Sequence, residues 1–347
     1  MSREAIRFSK PQPVKLSAQE MVESGYLEQG PGVRLPLVFK PLYKDVSATE
    51  WASANREQVR AELLRHGAVL FHGFQLTTIA MFEELAKAIS PDLMQYGERS
   101  SPRTHIARNV YTSTDHPPEQ AILLHNEQSY TLNWPMKIFF CCLRAAQQGG
   151  RTPIADSRRM YKSLPHDVVE RFANKGVMYI RNYIGGLSLS WQEAFQTADR
   201  AAVAEYCHAN GIETQWIGDQ LRTRQVRPAV RAHPETGEMV WFNHALFFNV
   251  AGLEETSRRN LLAAVAEDDL PYQTRYGDGS PIESRVLDIL RETYDRETVK
   301  FAWQDGDVLL VDNMLAAHGR ETFSGERKVV VIMAEPFHST SVGTAAS

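Results

Sequence analysis

The chain of 347 residues contains no run of 18 or more apolar residues, and its polar first segment, residues 1–13, lacks the apolar stretch of a secretory signal. It contains no run of five or more basic residues and carries a net charge of −4, so nothing indicates contact with nucleic acid or an anionic membrane. Cysteine is scarce, and two of the three cysteines, Cys141 and Cys142, are adjacent in an apolar run, which is typical of small core side chains rather than of a disulfide framework. These features predict a protein of the reducing cytoplasm and leave a small molecule as the expected partner.

Hydrophobic residues make up 43% of the chain, which is enough for a sizeable core in a globular protein. The first part predicts helices over residues 47–66 and 77–90, with Ser47 as a helix cap, on either side of a buried strand over residues 67–74. From about residue 122 the pattern changes to short strands, predicted over 137–143, 152–155, 176–183, 225–232, 238–242, 300–303, 308–311 and 328–333. Helices predicted over 166–174, 199–210, 253–267 and 282–294 interrupt them, and residues 234–237 predict a tight turn. The pattern favours an antiparallel sandwich or barrel with helices packed outside it.

The most informative motif is His125-Asn126-Glu127, with a possible third partner far downstream at His318. In an extended strand His125 and Glu127 point to the same face, so both can bind one ion while Asn126 points away. Two histidines and one carboxylate form a facial triad that leaves coordination positions open, as in non-heme Fe(II) oxygenases. Because the chain has 11 histidines and 42 acidic residues, such triplets also arise by chance, and the surrounding sequence must decide.

Three blocks surround these residues in a fixed order. They are NVYTST (109–114) leading to LHNE (124–127), GGRTPIAD (149–156), and GDVLLVDN (306–313) followed by AHGR (317–320) and GERK (325–328). With these blocks the chain resembles the taurine dioxygenase/TfdA superfamily of Fe(II)- and 2-oxoglutarate-dependent oxygenases over about residues 35–338. Within it, the chain is most similar to the amino-acid hydroxylases related to the syringomycin-pathway aspartate hydroxylase and to clavaminate synthase. Residues 1–34 are then expected to be an N-terminal extension and residues 339–347 a C-terminal tail.

The resemblance implies an α+β fold with a mainly β core, a double-stranded β-helix (jelly roll) with flanking helices. It implies that His125, Glu127 and His318 are the iron ligands, with 2-oxoglutarate and O₂ taking the open positions. By motif position, Thr152 contacts the distal carboxylate of 2-oxoglutarate, to which its hydroxyl can donate a hydrogen bond.

The same carboxylate requires a bidentate cationic partner, and Arg327 occupies the motif position. The loop after His318 is shorter than in the clavaminate synthase branch, so a shift of one residue would place Lys328 there instead. Neighbouring strand residues face opposite sides, so only one of Arg327 and Lys328 can point inwards. Arg320 is a third candidate.

The substrate side differs from the taurine-cleaving relatives, in which a further arginine on the last strand binds the substrate anion. Here that stretch is VVVI (329–332), so the candidates for substrate contact are Arg181, which could pair with a carboxylate, and Asn243, which could donate and accept hydrogen bonds. The resemblance implies a substrate that is an amino acid or derives from one, free or loaded on a carrier protein, in specialised metabolism such as antibiotic biosynthesis.

Hydroxylation of an unactivated C–H is the expected reaction, and desaturation or ring closure remains open because each uses the same ligands. Glu127 disfavours halogenation, because related halogenases lack a carboxylate at this position. A zinc hydrolase would be expected to carry His-Glu-x-x-His on a helix, which is absent. A non-catalytic metal-binding protein of the cupin kind would have no need of Thr152 and Arg327.

Overall fold

The computed structural model describes residues 21–27, 35–94, 98, 105–107, 109–112, 116–184 and 188–339. Most of the predicted N-terminal extension, the end of the first sequence block at residues 113–114 and all of the predicted tail after residue 339 lie outside this part. The division into an extension, a domain over 35–338 and a tail therefore stays a prediction.

Strands dominate the described residues. They are β1 Val22–Tyr26, β2 Leu37–Pro41, β3 Ala68–Phe71, β4 Leu93–Met94, β5 His105–Ala107, β6 Val110–Thr112, β7 Ile122–His125, β8 Asn133–Arg144, β9 Gln148–Gly149, β10 Thr152–Asp156, β11 Val177–Tyr183, β12 Glu213–Ile217, β13 Gln220–Arg227, β14 Val230–Ala232, β15 Met239–Trp241, β16 Tyr272–Tyr276, β17 Thr298–Phe301, β18 Val308–Asp312, β19 Ala316–Arg320, β20 Phe323–Ser324 and β21 Lys328–His338. The helices are α1 Ala48–Ala54, α2 Arg56–His66, α3 Ile79–Ile89, α4 Ser157–Ser163, α5 His166–Lys175, α6 Trp191–Phe195, α7 Arg200–Ala209, α8 Glu255–Ala264 and α9 Ser284–Glu297, with 3₁₀ turns at Val250–Gly252 and Glu267–Asp269.

The largest sheet has nine strands in the order β1-β2-β3-β18-β8-β21-β6-β5, with β4 also paired to β21. Strands β2 and β3 are parallel, and the chain between them forms α1 and α2, which is the crossover that a parallel pair requires. Helices α1, α2 and α3 cover one face of this sheet, where Trp51, Leu63 and Phe82 pack with Phe71 and Phe139. The central strands of the large sheet are thus buried in an apolar core on the helical side.

A second sheet of four strands, β17-β10-β19-β7, packs against the other face of the large sheet. The core between the two sheets includes Phe140 and Val331 from the large sheet and Ile154, Phe301 and Ala316 from the small one. Burial of this apolar surface is what holds the two sheets together. A third, four-stranded sheet, β12-β13-β11-β16, extends the molecule beside helices α5 and α9.

Adjacent cysteines on β8 serve the two sides of the large sheet. Cys141 packs in the core under the helices, and Cys142 packs between the sheets. Both thiols are fully buried and neither forms a disulfide, as the sequence predicts.

The predicted fold class, an α+β fold with a mainly β core, is confirmed, and the strands that the structure describes form separate sheets rather than a closed barrel. Ser47 caps α1 as predicted, accepting a hydrogen bond from the backbone N–H of Glu50. The single helix predicted over 47–66 is instead broken at Asn55, whose side chain donates to the carbonyl of Trp51 and ends the first helix. Residues 225–232 were predicted as one strand but form two, because Pro228 between β13 and β14 has no N–H for a ladder.

Helix α8 also differs from its prediction. We expected one apolar stripe packed on a sheet, but none of its ten residues is buried.

Among the described residues, no helix combines the length and the apolarity needed to cross a membrane.

Candidate active site

The two candidate histidine ligands lie on neighbouring strands of the small sheet. His125 ends β7 and is the register partner of His318 on β19, and their ring centroids are 4.6 Å apart. Glu127 follows two residues later, and one donor atom from each of the three side chains lies within 4.8 Å of the others. Glu127 and His318 are only 3% and 4% exposed, so these are not the solvated acidic and imidazole groups common on protein surfaces. The donor set suits ferrous iron and leaves room for further ligands.

Glu127 reaches this cluster in a way that strand alternation does not describe. Strand β7 stops at His125, and Glu127 opens a turn in which Gln128 has a positive φ of 55°. Asn126 is fully buried and donates hydrogen bonds to Ser157 Oγ and to the carbonyl of Asn313, so it stays out of the donor cluster, as expected.

Asn313 was missed as a site residue, although it ends one of the sequence blocks. Its Oδ1 accepts from the backbone N–H of Glu127 at 2.7 Å, and its Nδ2 donates to the carbonyls of Glu127 and Pro135, both at 2.9 Å. Both backbone groups of Glu127 are therefore held by one fully buried amide. A polar residue directly after the buried strand β18 was the available sequence signal.

His125 has a defined ring orientation. Its Nδ1 lies 2.8 Å from the carbonyl oxygen of Leu123, which can only accept, so Nδ1 carries the proton. Nε2 is then the nitrogen whose lone pair can bind a metal ion.

Thr152 lies at the start of β10, two residues before Ile154, the register partner of His318. Its hydroxyl accepts a hydrogen bond of 2.9 Å from Trp303 Nε1, and the residue is 4% exposed. Because the indole N–H can only donate, this bond does not use the hydroxyl hydrogen of Thr152, which can be donated to another acceptor. This arrangement suits a donor to a bound carboxylate.

Arg327 and Lys328 have different surroundings. Arg327 immediately precedes β21, is half-buried, donates from Nε to the carbonyl of Gly150 and lies over the ring of Phe323. Burial, followed by the proximity of Arg320, lowers the pKa of Arg327 to about 10, so a bound anion would relieve an unfavourable environment. Lys328 is exposed. The geometry favours Arg327 over Lys328.

Gly150 makes room for this arginine. A Cβ atom at Gly150 would lie 3.1 Å from Arg327 Cδ and 2.9 Å from Ala146 Cβ, and the backbone there has a positive φ of 66°. Only glycine meets both conditions without strain. The third candidate, Arg320, is directed elsewhere, because its guanidinium donates to three backbone carbonyls of residues 116–120.

The two candidates for substrate contact are both engaged within the chain. Arg181 donates to Glu98 Oε1 at 2.8 Å, with both side chains 3% exposed, and lies over the rings of Tyr130, Tyr183 and Tyr272. The amide of Asn243 donates to the carbonyl of Ala229 and accepts from the N–H of Ala245. Both groups of the Asn243 side chain are thus directed at backbone.

His244, the neighbour of Asn243, lies beside the cluster and was missed. Its ring centroid lies 5.6 Å from that of His125, and its Nδ1 lies 2.5 Å from Ser129 Oγ. Burial, with smaller effects of His125 and Arg181, lowers the pKa of His244 well below its ordinary value, so its imidazole is neutral. The histidine inside the WFNH stretch was the signal for it.

Comparison with known proteins agrees with this geometry. The model of the taurine catabolism dioxygenase TauD, TfdA family matches residues 35–333, and the chain belongs to that family. It is an Fe(II)- and 2-oxoglutarate-dependent oxygenase, with O₂ as the second co-substrate.

Two relatives show where in the family the chain lies. The dapdiamide synthesis protein DdaC of Enterobacter agglomerans is 40% identical over 280 residues, which cover 80% of this chain and 85% of DdaC. A clavaminate synthase-like protein of Arabidopsis thaliana is 26% identical over 309 residues, covering 86% and 89% of the two chains. The branch expected from the sequence is thereby confirmed.

Solved structures show the same fold. PvcB of Pseudomonas aeruginosa superposes with a TM-score of 0.54 at 15% identity over 95% of each chain. Another structure of PvcB, described as an Fe, alpha-ketoglutarate dependent oxygenase from an isonitrile synthetic pathway, gives a TM-score of 0.57 at 14% identity over 95% of this chain and 98% of PvcB.

Asn313→Ala is expected to lower the free energy of unfolding by about 2–5 kcal/mol, because it leaves buried backbone groups of Glu127 and Pro135 without partners. It should also weaken Fe(II) binding. The control is Asn55→Ala, a buried asparagine that bonds one carbonyl on the helical side, which should cost stability without changing Fe(II) affinity. Urea unfolding and metal titration measure the two effects, and unchanged Fe(II) affinity in Asn313→Ala would contradict the role.

Thr152→Val is expected to raise the dissociation constant of 2-oxoglutarate at least about tenfold, because a hydrogen bond to a charged group contributes about 1.5–3 kcal/mol. Thr152→Ser keeps the hydroxyl and should bind 2-oxoglutarate nearly as wild type. Anaerobic titration of the Fe(II)-loaded protein measures this, and equal affinities of the valine and serine variants would remove Thr152 from the co-substrate site.

Arg327→Ala is expected to raise the same dissociation constant at least about thirtyfold, since loss of one partner of a buried charge pair costs about 2–5 kcal/mol. Lys328→Ala is the matched neighbour and should change little, because Lys328 is exposed. A larger rise in the dissociation constant for Lys328→Ala than for Arg327→Ala would support the alternative alignment, in which Lys328 binds the carboxylate.

Proposed function

We propose that this oxygenase hydroxylates an unactivated C–H of an amino acid or an amino-acid derivative in a specialised biosynthetic pathway. The observation that carries the proposal is the convergence of donor atoms from His125, Glu127 and His318 within 4.8 Å in a largely buried setting. We assign these three side chains as the Fe(II) ligands.

Thr152 and Arg327 would hold the distal carboxylate of 2-oxoglutarate, the first through its hydroxyl hydrogen and the second through its planar guanidinium. Fe(II), when bound with 2-oxoglutarate and O₂, supplies the oxidising power for C–H hydroxylation, with release of CO₂ and succinate. The protein's own part is positioning: Asn313 orients Glu127, and the Leu123 carbonyl orients the ring of His125.

Support for the substrate class comes from the relatives. DdaC is named for dapdiamide synthesis, which favours a role in antibiotic or similar biosynthesis and a substrate built from amino acids. The substrate would be free or loaded on a carrier protein. Desaturation or ring closure is the alternative outcome, because Glu127 and the two histidines serve each of these reactions.

On the substrate side, Arg181 remains a candidate contact, since its guanidinium lies 5.5 Å from the ring of Tyr130, which in turn lies 5.1 Å from the ring of His244. A substrate carboxylate would have to share Arg181 with Glu98. Asn243 is better explained as the residue that shapes the turn carrying His244, because both of its amide groups bond backbone.

The test is an anaerobic titration of metal-free protein with Fe(II) and 2-oxoglutarate, monitored by the visible absorption band that 2-oxoglutarate gives on chelating Fe(II). We expect the band in wild type and its loss in His125→Ala, because a ligand is removed. His166→Ala is the matched control, since the His166 side chain is 93% exposed. A band or succinate formation retained in a folded His125→Ala protein would refute the ligand assignment. Succinate release in the presence of individual amino acids then screens for the substrate.

A further inference from the structure

We propose that Arg320 is a positioning residue that fixes the spacing of the two histidine-bearing strands and thereby sets the affinity for the metal ion. The inference rests on the ligand set proposed above. Arg320 does not touch the ion or the co-substrate in this scheme. It acts through the backbone that carries His125.

The pairing between the two histidine-bearing strands is weak by itself. Strand β7 has four residues and lies at the edge of its sheet. Its register with β19 consists of two partner pairs, His318 with His125 and Arg320 with Ile122, and the register shifts between them. A short edge strand with an irregular ladder holds its position poorly unless other contacts fix it.

The guanidinium of Arg320 supplies such contacts. Nη1 donates to the carbonyl of His116 at 2.9 Å, and Nη2 donates to the carbonyls of Pro117 and Gln120 at 2.6 and 2.7 Å. These carbonyls belong to the segment that leads directly into β7. Arg320 lies two residues after the proposed ligand His318 on β19. It therefore ties this strand to the segment that leads through β7 to the other proposed ligand, His125.

Residues close to Arg320 in the chain also hold β19 and the segment before β7 close together. A Cβ atom at Gly319 would lie 2.6 Å from the carbonyl oxygen of Ile122, so only glycine lets β19 come this close to β7. The backbone N–H of Phe323 donates to the carbonyl of Pro118 at 3.0 Å. Segment 116–122 is thus held at three successive points along the chain that follows His318.

The fork of a guanidinium is required for this geometry. Its N–H groups are spread over a rigid plane and reach carbonyls in different directions, whereas an ammonium donates from a single atom. Arg320 is 5% exposed, and its described acceptors are neutral carbonyls rather than carboxylates. A lysine at this position would keep the charge but lose most of the contacts with segment 116–120.

The experiment titrates Co(II), as a probe for Fe(II), into the full-length wild type and Arg320→Lys without 2-oxoglutarate. The dissociation constant and the Co(II) d–d absorption bands are both recorded. We expect Arg320→Lys to raise the dissociation constant about tenfold and to shift the bands, since loss of groups that orient metal ligands typically costs 10–100-fold in affinity. A constant within about twofold of wild type, in a folded variant, overturns the proposal.

Arg158→Lys is the matched control. Arg158 is another buried arginine that donates to the carbonyls of a distant segment, Leu64 and Arg65, and it also pairs with Asp156 and Glu238. It lies in α4, just beyond the end of β10 that is opposite Thr152. It should lose stability and keep wild-type Co(II) affinity and bands. An equal loss of Co(II) affinity in Arg158→Lys would mean general loosening of the fold and would also overturn the proposal.

Two further measurements distinguish an error in the ligand assignment from an error in the role of Arg320. His125→Ala tests the ligand set itself. Wild-type Co(II) affinity in that variant would contradict the proposed function, and not only the role of Arg320. If Arg320→Lys does not fold, amide hydrogen exchange of the wild type decides. Co(II) should slow exchange in segment 116–120, which contains no ligand, and unchanged exchange there overturns the proposal.

Discussion

The hydrogen bonds of Asn313 are the interaction on which the rest of the site depends. Asn313 directly follows β18 of the large sheet, and its amide holds Glu127, which lies beyond the last residue of β7 in the small sheet. The same amide bonds Pro135 on β8. One fully buried side chain therefore fixes the position of the carboxylate relative to both sheets, and the apolar core between them makes that frame rigid.

Beside this frame, two arginines lie close together. Arg327 is desolvated beside Arg320, and both lie against Phe323. Arg181, in contrast, is paired with Glu98 and lies over the rings of three tyrosines. This distribution would suit the proposed binding of the anionic co-substrate at Arg327, and the neutral imidazole of His244 adds no charge beside His125.

Much of this arrangement follows from the sequence, because residue patterns identify many of the strands and the order of the three blocks identifies the residues of the donor cluster. Three features do not follow. The turn at Glu127 depends on Asn313, which is 186 residues away along the chain. The orientation of Asn243 does not follow because the direction of a side chain after a strand end is set by tertiary contacts, here with the backbone groups of Ala229 and Ala245. The role of Arg320 does not follow from the sequence either, because it depends on which backbone carbonyls the guanidinium reaches in the folded chain.

The cysteines of β8 have a consequence for chemical durability. Ferrous iron and O₂ together generate oxidants that attack thiolates, and the reactive form of cysteine is the thiolate. Burial raises the pKa of Cys141, Cys142 and Cys207 to about 12, so at neutral pH each remains a protonated thiol shielded from solvent. Within the part of the chain that the structure describes, the enzyme thus offers its own oxidative chemistry no exposed sulfhydryl, and repeated turnover should spare its cysteines.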